Sequence, residues 1–338
     1  MFCRFAQQIH QFAWSYLILP KIFREHELFM AEQKIPFFTG AIVLPLQDAF
    51  RRYKKLLYPK TPVGFDKRDE EFVTKPALFR LMLFSAFCMA FAFLFVKALS
   101  VLILTGLLRL NNINHIYSIF SIAYLPGDDS NWSDGSLLLV YGLPNLAFLA
   151  IGMYLTGLTV RIRKLNWIFR LLLAWIAFNL ITFFMSELVL AAFFYKGLGI
   201  ALEWLISNRI LKYVIIVVAA IGLVLWSKRF GLMFLRCSPS RIFIDDTSVM
   251  RTWLLWVLVI PLFFGPALLL LMLFFSLKIS LVTMFGSAMV LLPMAFRTID
   301  YLPDVRIFKS KKVIPGIVFT ITLIVSLGVL VRLLIRFV

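Results

Sequence analysis

The sequence predicts an all-α integral membrane protein, a polytopic bundle of about seven transmembrane helices with a range of six to eight. Three observations support this fold class. Hydrophobic residues make up 62% of the 338 residues, apolar stretches of membrane length recur along the chain, and lysine and arginine are concentrated in alternate connecting segments. A helix needs about 20 apolar residues to cross a hydrocarbon core about 30 Å thick.

The apolar stretches define seven predicted spans. Most are long enough to cross with some tilt. The fourth is short, and it reaches crossing length only if Leu211 and the snorkelling stem of Lys212 extend it. The predicted spans are residues 81–108, 136–160, 171–195, 213–226, 252–277, 279–296 and 313–330.

The distribution of basic residues predicts the orientation of these spans. The segments before span one and after spans two, four and six hold 27 of the 35 lysines and arginines, whereas the alternate segments hold seven. Lys97, inside a span, is the remaining one. Cytoplasmic loops of membrane proteins are enriched in lysine and arginine. We therefore predict a cytoplasmic N-terminus and a C-terminus outside.

The formal net charge of +18 is read as this same topological signal and not as a nucleic-acid-binding surface. The expected partners are anionic lipid headgroups on the cytoplasmic face and other membrane-protein subunits, with no nucleic acid. We find neither a cleavable signal peptide nor a targeting presequence in the sequence. The expected location is therefore a bacterial cytoplasmic (inner) membrane.

Residues 1–80 form a first predicted domain, a basic cytoplasmic or interfacial region that precedes the transmembrane bundle of residues 81–338. Phe2, Phe5, Ile9, Phe12 and Tyr16 recur at the spacing of an amphipathic helix. Residues 35–46 are apolar but too short to cross, which is typical of a re-entrant or interfacial segment. The basic cluster that follows is a candidate contact for lipid headgroups: Arg51, Arg52, Lys54 and Lys55.

Polar residues inside the spans are the candidate functional groups, because charges in hydrocarbon are costly. Glu187 lies in the third span, and Asn179 precedes it by eight residues on nearly the same face. Lys97 in the first span is the natural counter-charge. Three interpretations remain open: a structural Glu187–Lys97 bridge, a proton- or ion-coupled transport site, and a carboxylate near the interface.

Prolines within the spans predict broken helices. Pro144, with Gly142 and Asn145, predicts a break near the start of the second span, and Pro261, Pro266 and Pro293 predict breaks in later spans. Proline removes one helical hydrogen bond, so the freed carbonyl oxygen needs a partner from a neighbouring helix or a cavity. Such breaks are typical both of ordinary kinked helix packing and of a substrate site. Asn145 is a candidate polar residue at the first of these breaks.

The connection of residues 111–135 is acidic, whereas the inner loops are basic. Its candidate polar cluster could offer hard oxygen ligands to a divalent cation, but the spacing differs from that of the twelve-residue calcium loop. A solvated loop is the favoured interpretation, and no metal site is predicted. The cluster comprises Asp128, Asp129, Asn131 and Asp134.

The sequence contains no recognisable catalytic or cofactor-binding motif. An intramembrane metalloprotease needs His-Glu-x-x-His, and residues 26–30 read His-Glu-Leu-Phe-Met, with methionine at the second ligand position. The break at Gly142-Leu143-Pro144-Asn145 offers only a remote likeness to site-2 proteases, and without the metal ligands it implies at most an inactive relative. We predict no catalytic, cofactor-binding or metal residues and no cofactor.

Three function hypotheses follow. The favoured one is a non-catalytic subunit or scaffold of a membrane complex, because polar residues in the spans are sparse and 36 phenylalanines suit packing against subunits and lipid. The second is a small transporter or permease that uses Glu187. The third is an intramembrane or lipid-directed enzyme, which would need at least two polar groups facing one cavity.

Overall fold

The computed structural model describes residues 71–118, 121–124, 132–161, 166–193, 197–206, 208–226, 228–240, 243, 247–273 and 314–336. All of them belong to one unit, Leu56–Val338. The predicted amphipathic segment, residues 35–46, the basic cluster at 51–55 and the sixth predicted span lie outside the described residues.

Helix α1, Lys75–Leu110, is the longest element described, and it has 36 residues. A proline in its first turn fits there because the amide it lacks would have no partner in the helix. At the other end, the Asn111 side chain donates to the Leu107 carbonyl oxygen at 2.8 Å. Asn112 then adopts φ of 54°, which reverses the chain.

A two-stranded antiparallel hairpin follows α1. Strand β1, His115–Ser118, pairs with β2, Ser121–Tyr124, with Ser118 opposite Ser121. This hairpin was not predicted, because the polar character of residues 111–135 indicates only a loop. It is the only sheet within the described residues and leaves the all-α class unchanged.

The second predicted span consists of two helices, α2 (Asp134–Tyr141) and α3 (Leu143–Arg161). Ser133 caps α2 with a reciprocal capping box to Ser136. The helices meet at Gly142, and the Asn145 amide donates to the Tyr141 carbonyl oxygen across the junction at 2.8 Å. The predicted break is confirmed at the predicted residues.

The third span is α4, Trp167–Phe193, and it is the most deeply buried of the membrane-length helices described. It packs against both α1 and α3. A short helix, α5 (Leu198–Leu205), comes next, followed by α6, Arg209–Trp226. Helix α5 was not predicted, and α6 begins four residues before the predicted fourth span.

An amphipathic helix, α7 (Lys228–Arg236), places its apolar face against the bundle. Phe234 on this face makes an edge-to-face contact with Trp175 of α4 at a centroid distance of 5.1 Å, and Phe230 makes the same kind of contact with Phe178. These rings form the centre of the hydrophobic core. Aromatic pairs prefer this geometry because the positive edge of one ring faces the negative face of the other.

The fifth predicted span comprises α8 (Thr247–Leu254), a π-helical turn (Leu255–Val259) and α9 (Ile260–Leu273). The last helix described is α10, Ile317–Arg336. It packs on α1 and α9 through a stripe that includes Leu327 and Val331. Between residues 318 and 330, most of its other side chains are exposed.

The predicted fold class is confirmed as an all-α membrane helix bundle. Among the described residues, four segments are long and apolar enough to cross a membrane: Lys75–Leu110, Asp134–Thr159, Trp167–Leu188 and Val249–Leu269. Ile210–Gly222 and Ile317–Val331 are shorter apolar helices at two further predicted spans. The count of seven depends on residues 279–296, so it stays a prediction, as does the orientation.

Candidate functional site

Lys97 and Glu187 lie on the two longest packed helices, α1 and α4. Both side chains are half-buried. The Lys97 ammonium nitrogen is 5.7 Å from the centroid of the Phe183 ring, one helical turn before Glu187. A cation at this distance from an aromatic face is attracted by the ring quadrupole.

The Glu187 carboxylate is held by the start of α5. It accepts a hydrogen bond from the backbone N–H of Leu198, the first residue of that helix. The N-terminus of a helix carries a partial positive charge, which favours a carboxylate there. Gly197 precedes Leu198 with φ of 55°, and a Cβ at Gly197 would collide with Oε2 of Glu187.

The two charges attract each other without direct contact. Each exerts a favourable electrostatic effect on the other. Their nitrogen and oxygen atoms are nevertheless separated by more than the 4.0 Å of an ion pair. Lys97, Phe183, Glu187 and the amide of Leu198 together form what we term the charge site.

The other intramembrane candidates are not part of the charge site. Asn179 is fully buried, and its Nδ2 donates to the Trp175 carbonyl oxygen at 2.9 Å, whereas its Oδ1 has no hydrogen-bond partner. Its eight-residue separation from Glu187 corresponds to about 12 Å along α4. Asn145 is buried at the α2–α3 junction, where its amide bonds to the backbone.

A second ionic contact joins α5 to α6. Lys212 Nζ lies 2.8 Å from Glu203 Oε2, and the lysine side chain is only 10% exposed. Lys212 was predicted to snorkel, and its contact with Glu203 was not predicted. The two residues are nine positions apart, which matches no helical spacing, because α5 ends and α6 begins between them.

A buried polar trio ties three elements together at the centre of the bundle. Ser85 Oγ of α1 donates to the Val257 carbonyl oxygen at 2.6 Å and accepts from Trp175 Nε1 of α4 at 2.8 Å. In a regular helix the Val257 carbonyl would bond to the amide of residue 261, which is a proline and has none. The predicted consequence of Pro261, a carbonyl oxygen bonded by a neighbouring helix, is confirmed.

Arg170 and Arg236 meet at the other end of α4. Arg170 is almost fully buried, and its Nη1 donates to the Arg236 carbonyl oxygen at 3.4 Å. Burial lowers the pKa of Arg236. Burial also raises the pKa of the adjacent Cys237 thiol to about 12, against a smaller opposing effect of Arg170. Cys237 is therefore a neutral thiol at physiological pH and a poor nucleophile.

An apolar groove of about 720 Å³ lies beside the charge site, between α2, α3, α4, α5 and α6. Its walls are aliphatic and aromatic side chains interspersed with glycine and alanine. The lining includes Leu146, Phe184, Leu188, Leu198, Ala201, Leu202, Ile215, Ala219 and Gly222. This surface offers hydrocarbon contacts and no array of polar groups for a hydrophilic ligand.

The remaining predicted site residues are only partly described. Asp134 is exposed in the first turn of α2, where its charge complements the helix dipole. Asp128, Asp129, Asn131 and the basic residues Arg51, Arg52, Lys54 and Lys55 lie outside the described residues. In the described ranges, no group of three histidine, cysteine, aspartate or glutamate side chains could hold a metal ion.

The fold and these contacts define a helical membrane protein whose interior charges are held by the bundle's own groups. Comparison of the chain with protein-family models, with curated proteins and with solved structures gives no match.

Proposed function

We propose that the protein is a non-catalytic subunit or scaffold of a membrane complex. The observation that carries the proposal is the arrangement around Glu187. Its carboxylate accepts a hydrogen bond from the Leu198 amide and is attracted by the charge of Lys97. The side chains of Leu188 and Leu198, beside it, line the apolar groove. A charge satisfied within the bundle, next to hydrocarbon, supports a structural role.

Other buried polar side chains also support the scaffold proposal. Ser85 and Trp175 bond to each other, and Trp253 Nε1 donates to the Phe234 carbonyl oxygen at 3.0 Å. Thr156 and Thr182 bond to carbonyl oxygens of their own helices. The two tryptophan bonds join different helices, and the threonine bonds satisfy buried hydroxyl groups within one helix.

The outer surfaces of α6 and α10 are the candidate docking faces for partner subunits. Both helices expose large apolar side chains, among them Val218, which is 63% exposed, and Val325, which is 58% exposed. Helices in lipid associate through close packing, since lipid is as apolar as leucine. We further propose contacts of the 51–55 basic cluster with anionic headgroups, and a location in a bacterial inner membrane.

Photo-crosslinking in intact cells tests the scaffold proposal. A photoreactive amino acid at Val325 or Val218 should give a discrete adduct with another membrane protein, and the same complex should survive extraction in mild detergent. Leu327, buried on the same face of α10 that packs on the bundle, is the matched control and should give no such adduct. Adducts with lipid alone, together with a monodisperse lone chain in several mild detergents, would contradict the proposal.

A second candidate function is transport coupled to Glu187. It is favoured by one observation, the short helix α5, whose N-terminus is directed at an intramembrane carboxylate. Discontinuous helices with this geometry form ion and substrate sites in secondary transporters. Transport predicts that Glu187→Gln abolishes uptake or proton coupling while the protein still folds and inserts. The apolar lining of the groove gives the enzyme hypothesis no support.

A further inference from the structure

The helical hydrogen bonds of the fifth span are interrupted near the centre of the bundle. The π-helical turn Leu255–Val259 separates α8 from α9, and Pro261 and Pro266 follow within the first two turns of α9. Each proline leaves the carbonyl oxygen four residues before it without its helical hydrogen bond. Helices bend at prolines and at π-helical turns, and such turns are frequent at functional sites. Residues 255–266 are therefore the part of this span with the weakest hydrogen bonding.

A side chain of another helix replaces one of the missing bonds. Ser85 Oγ of α1 donates to the Val257 carbonyl oxygen at 2.6 Å, and Trp175 Nε1 of α4 donates to the same hydroxyl group at 2.8 Å. Ser85 and Trp175 are both fully buried. The backbone of the π-helical turn is thus bonded to two neighbouring helices through one hydroxyl group.

The two sides of residues 255–266 pack in different hydrophobic clusters. The buried residues of the fifth span from Val249 to Leu262 belong to the main core, whereas Leu269, farther along α9, belongs to a cluster that includes Leu327 of α10. Between them, α9 lies against α1 at Gly265, where a Cβ would collide with Met89 Sδ. A glycine has no side chain to interlock, and methionine is a flexible neighbour, so this contact permits α9 to shift.

We propose that residues 255–266 form a hinge, held by the Ser85 hydrogen bond, about which the end of α9 reorients relative to the main core. In the arrangement described above, this bond holds the hinge in one position. Reorientation breaks the bond and leaves the Val257 carbonyl oxygen buried without a partner. The second arrangement is therefore the minor one.

The hinge has a consequence for α10. Leu269 lies in the same cluster as Leu327 and Val331, so a movement of α9 changes the packing beneath α10. The hinge would then regulate one of the docking faces named above. This consequence rests on the proposed scaffold function, whereas the hinge itself does not.

Distances between pairs of spin labels test the hinge. The full-length chain, with its three cysteines replaced, carries labels at Ala267 and at Tyr154 of α3, which are both exposed. Ala267 lies ten residues, or about 15 Å of helix, beyond Val257. Double electron–electron resonance in nanodiscs should give one main distance and a minor second distance. The control pair, Tyr154 and Arg229 of α7, should give a single narrow distance, because both helices pack in the main core.

Ser85→Ala should raise the fraction of the second distance about tenfold. The hydrogen bond is then absent from both arrangements, and a tenfold change corresponds to about 1.4 kcal/mol, the size expected of one hydrogen bond. Thr182→Ala is the matched control, since its buried hydroxyl bonds to the Phe178 carbonyl oxygen of its own helix. It should leave the distances unchanged. Ser85→Gly is used if Ser85→Ala does not fold.

Pro261→Ala tests the hinge from the opposite direction. The new amide can bond to the Val257 carbonyl oxygen within the helix, so the second distance should disappear, and the added Ser85→Ala change should not restore it. A single narrow distance between labels 154 and 267 in the folded Ser85 variant would overturn the proposal, as would a second distance that persists in Pro261→Ala. No partner protein enters these measurements, so their failure leaves the scaffold proposal standing.

Discussion

Gly197 occupies a backbone conformation that few residues adopt, directly under the Glu187 carboxylate. We predict that Gly197→Ala destabilises the protein by about 1–3 kcal/mol. The combination of φ 55° and ψ −126° is strained for an alanine, at about 1–3 kcal/mol, and its methyl group would also displace Oε2 of Glu187 from the Leu198 amide. Thermal unfolding in detergent or nanodiscs measures the change.

Gly157→Ala is the control for that substitution. Gly157 lies within α3, and a Cβ there would have no neighbouring atom within 4 Å. Alanine in a helix interior is favoured over glycine by about 0.5–1 kcal/mol, so this variant should be as stable as the wild type or more so. Equal stability of the two variants would show that Gly197 is not required by the charge site.

Ser85 joins three elements with one hydroxyl group. We predict that Ser85→Ala costs about 1–3 kcal/mol of unfolding free energy, because Trp175 Nε1 and the Val257 carbonyl oxygen are left buried without a partner. Thr322→Ala is the matched control, since its exposed hydroxyl bonds only to Val318 of its own helix. A loss as large in the control as in Ser85→Ala would argue against the inter-element bond.

At the scale of elements, α3 and α4 approach closely at Gly152. A Cβ there would lie 2.7 Å from Ile181 Cγ1, 3.2 Å from Leu180 Cβ and 3.3 Å from the Ala177 carbonyl oxygen. We predict that Gly152→Leu forces the two helices apart and costs about 1–3 kcal/mol or more, as overpacked cores do. Gly106→Leu, on an open face of α1, should unfold like the wild type.

Helix placement is the level at which the sequence was most informative. The lengths of the apolar stretches correctly predicted six helical regions. The break at Gly142–Asn145 was predicted because glycine and proline interrupt helices. The hairpin and α5 were missed. Their segments are too short for a periodic signal, and Gly197, which starts α5, was not distinguished from other loop glycines.

The candidate site was predictable only in part, for a related reason. Glu187 and Lys97 stood out because each is a charge in an apolar segment, and hydrocarbon penalises such charges. The Leu198 amide, the Phe183 ring and the Glu203–Lys212 contact depend on how helices turn and meet. Residue types within one segment carry no information about that arrangement. Pro261 identified the Val257 carbonyl, but only tertiary structure identifies Ser85 as its partner.

At the scale of the whole molecule, the orientation remains a prediction. The contact between Arg170 and Arg236 puts the start of α4 next to the end of α7, in agreement with a common cytoplasmic side for both basic loops. In a chain without its three cysteines, Ser133→Cys should react with an impermeant maleimide added outside. Arg229→Cys should react only after the membrane is permeabilised. Reaction of both from the same side would contradict the orientation.

Lys97 and Glu187 are expected to stabilise the bundle as a pair. A double-mutant cycle of Lys97→Met, Glu187→Gln and the double variant, measured by unfolding in nanodiscs, determines whether they do. If the two charges act as a pair, each single variant should be clearly destabilised. The double variant should then lose on the order of 1–3 kcal/mol less unfolding free energy than the sum of the two single losses. The double variant should also still join the proposed membrane complex. Additive losses with no recovery, or a stable Glu187→Gln that loses a transport activity, would contradict the claim.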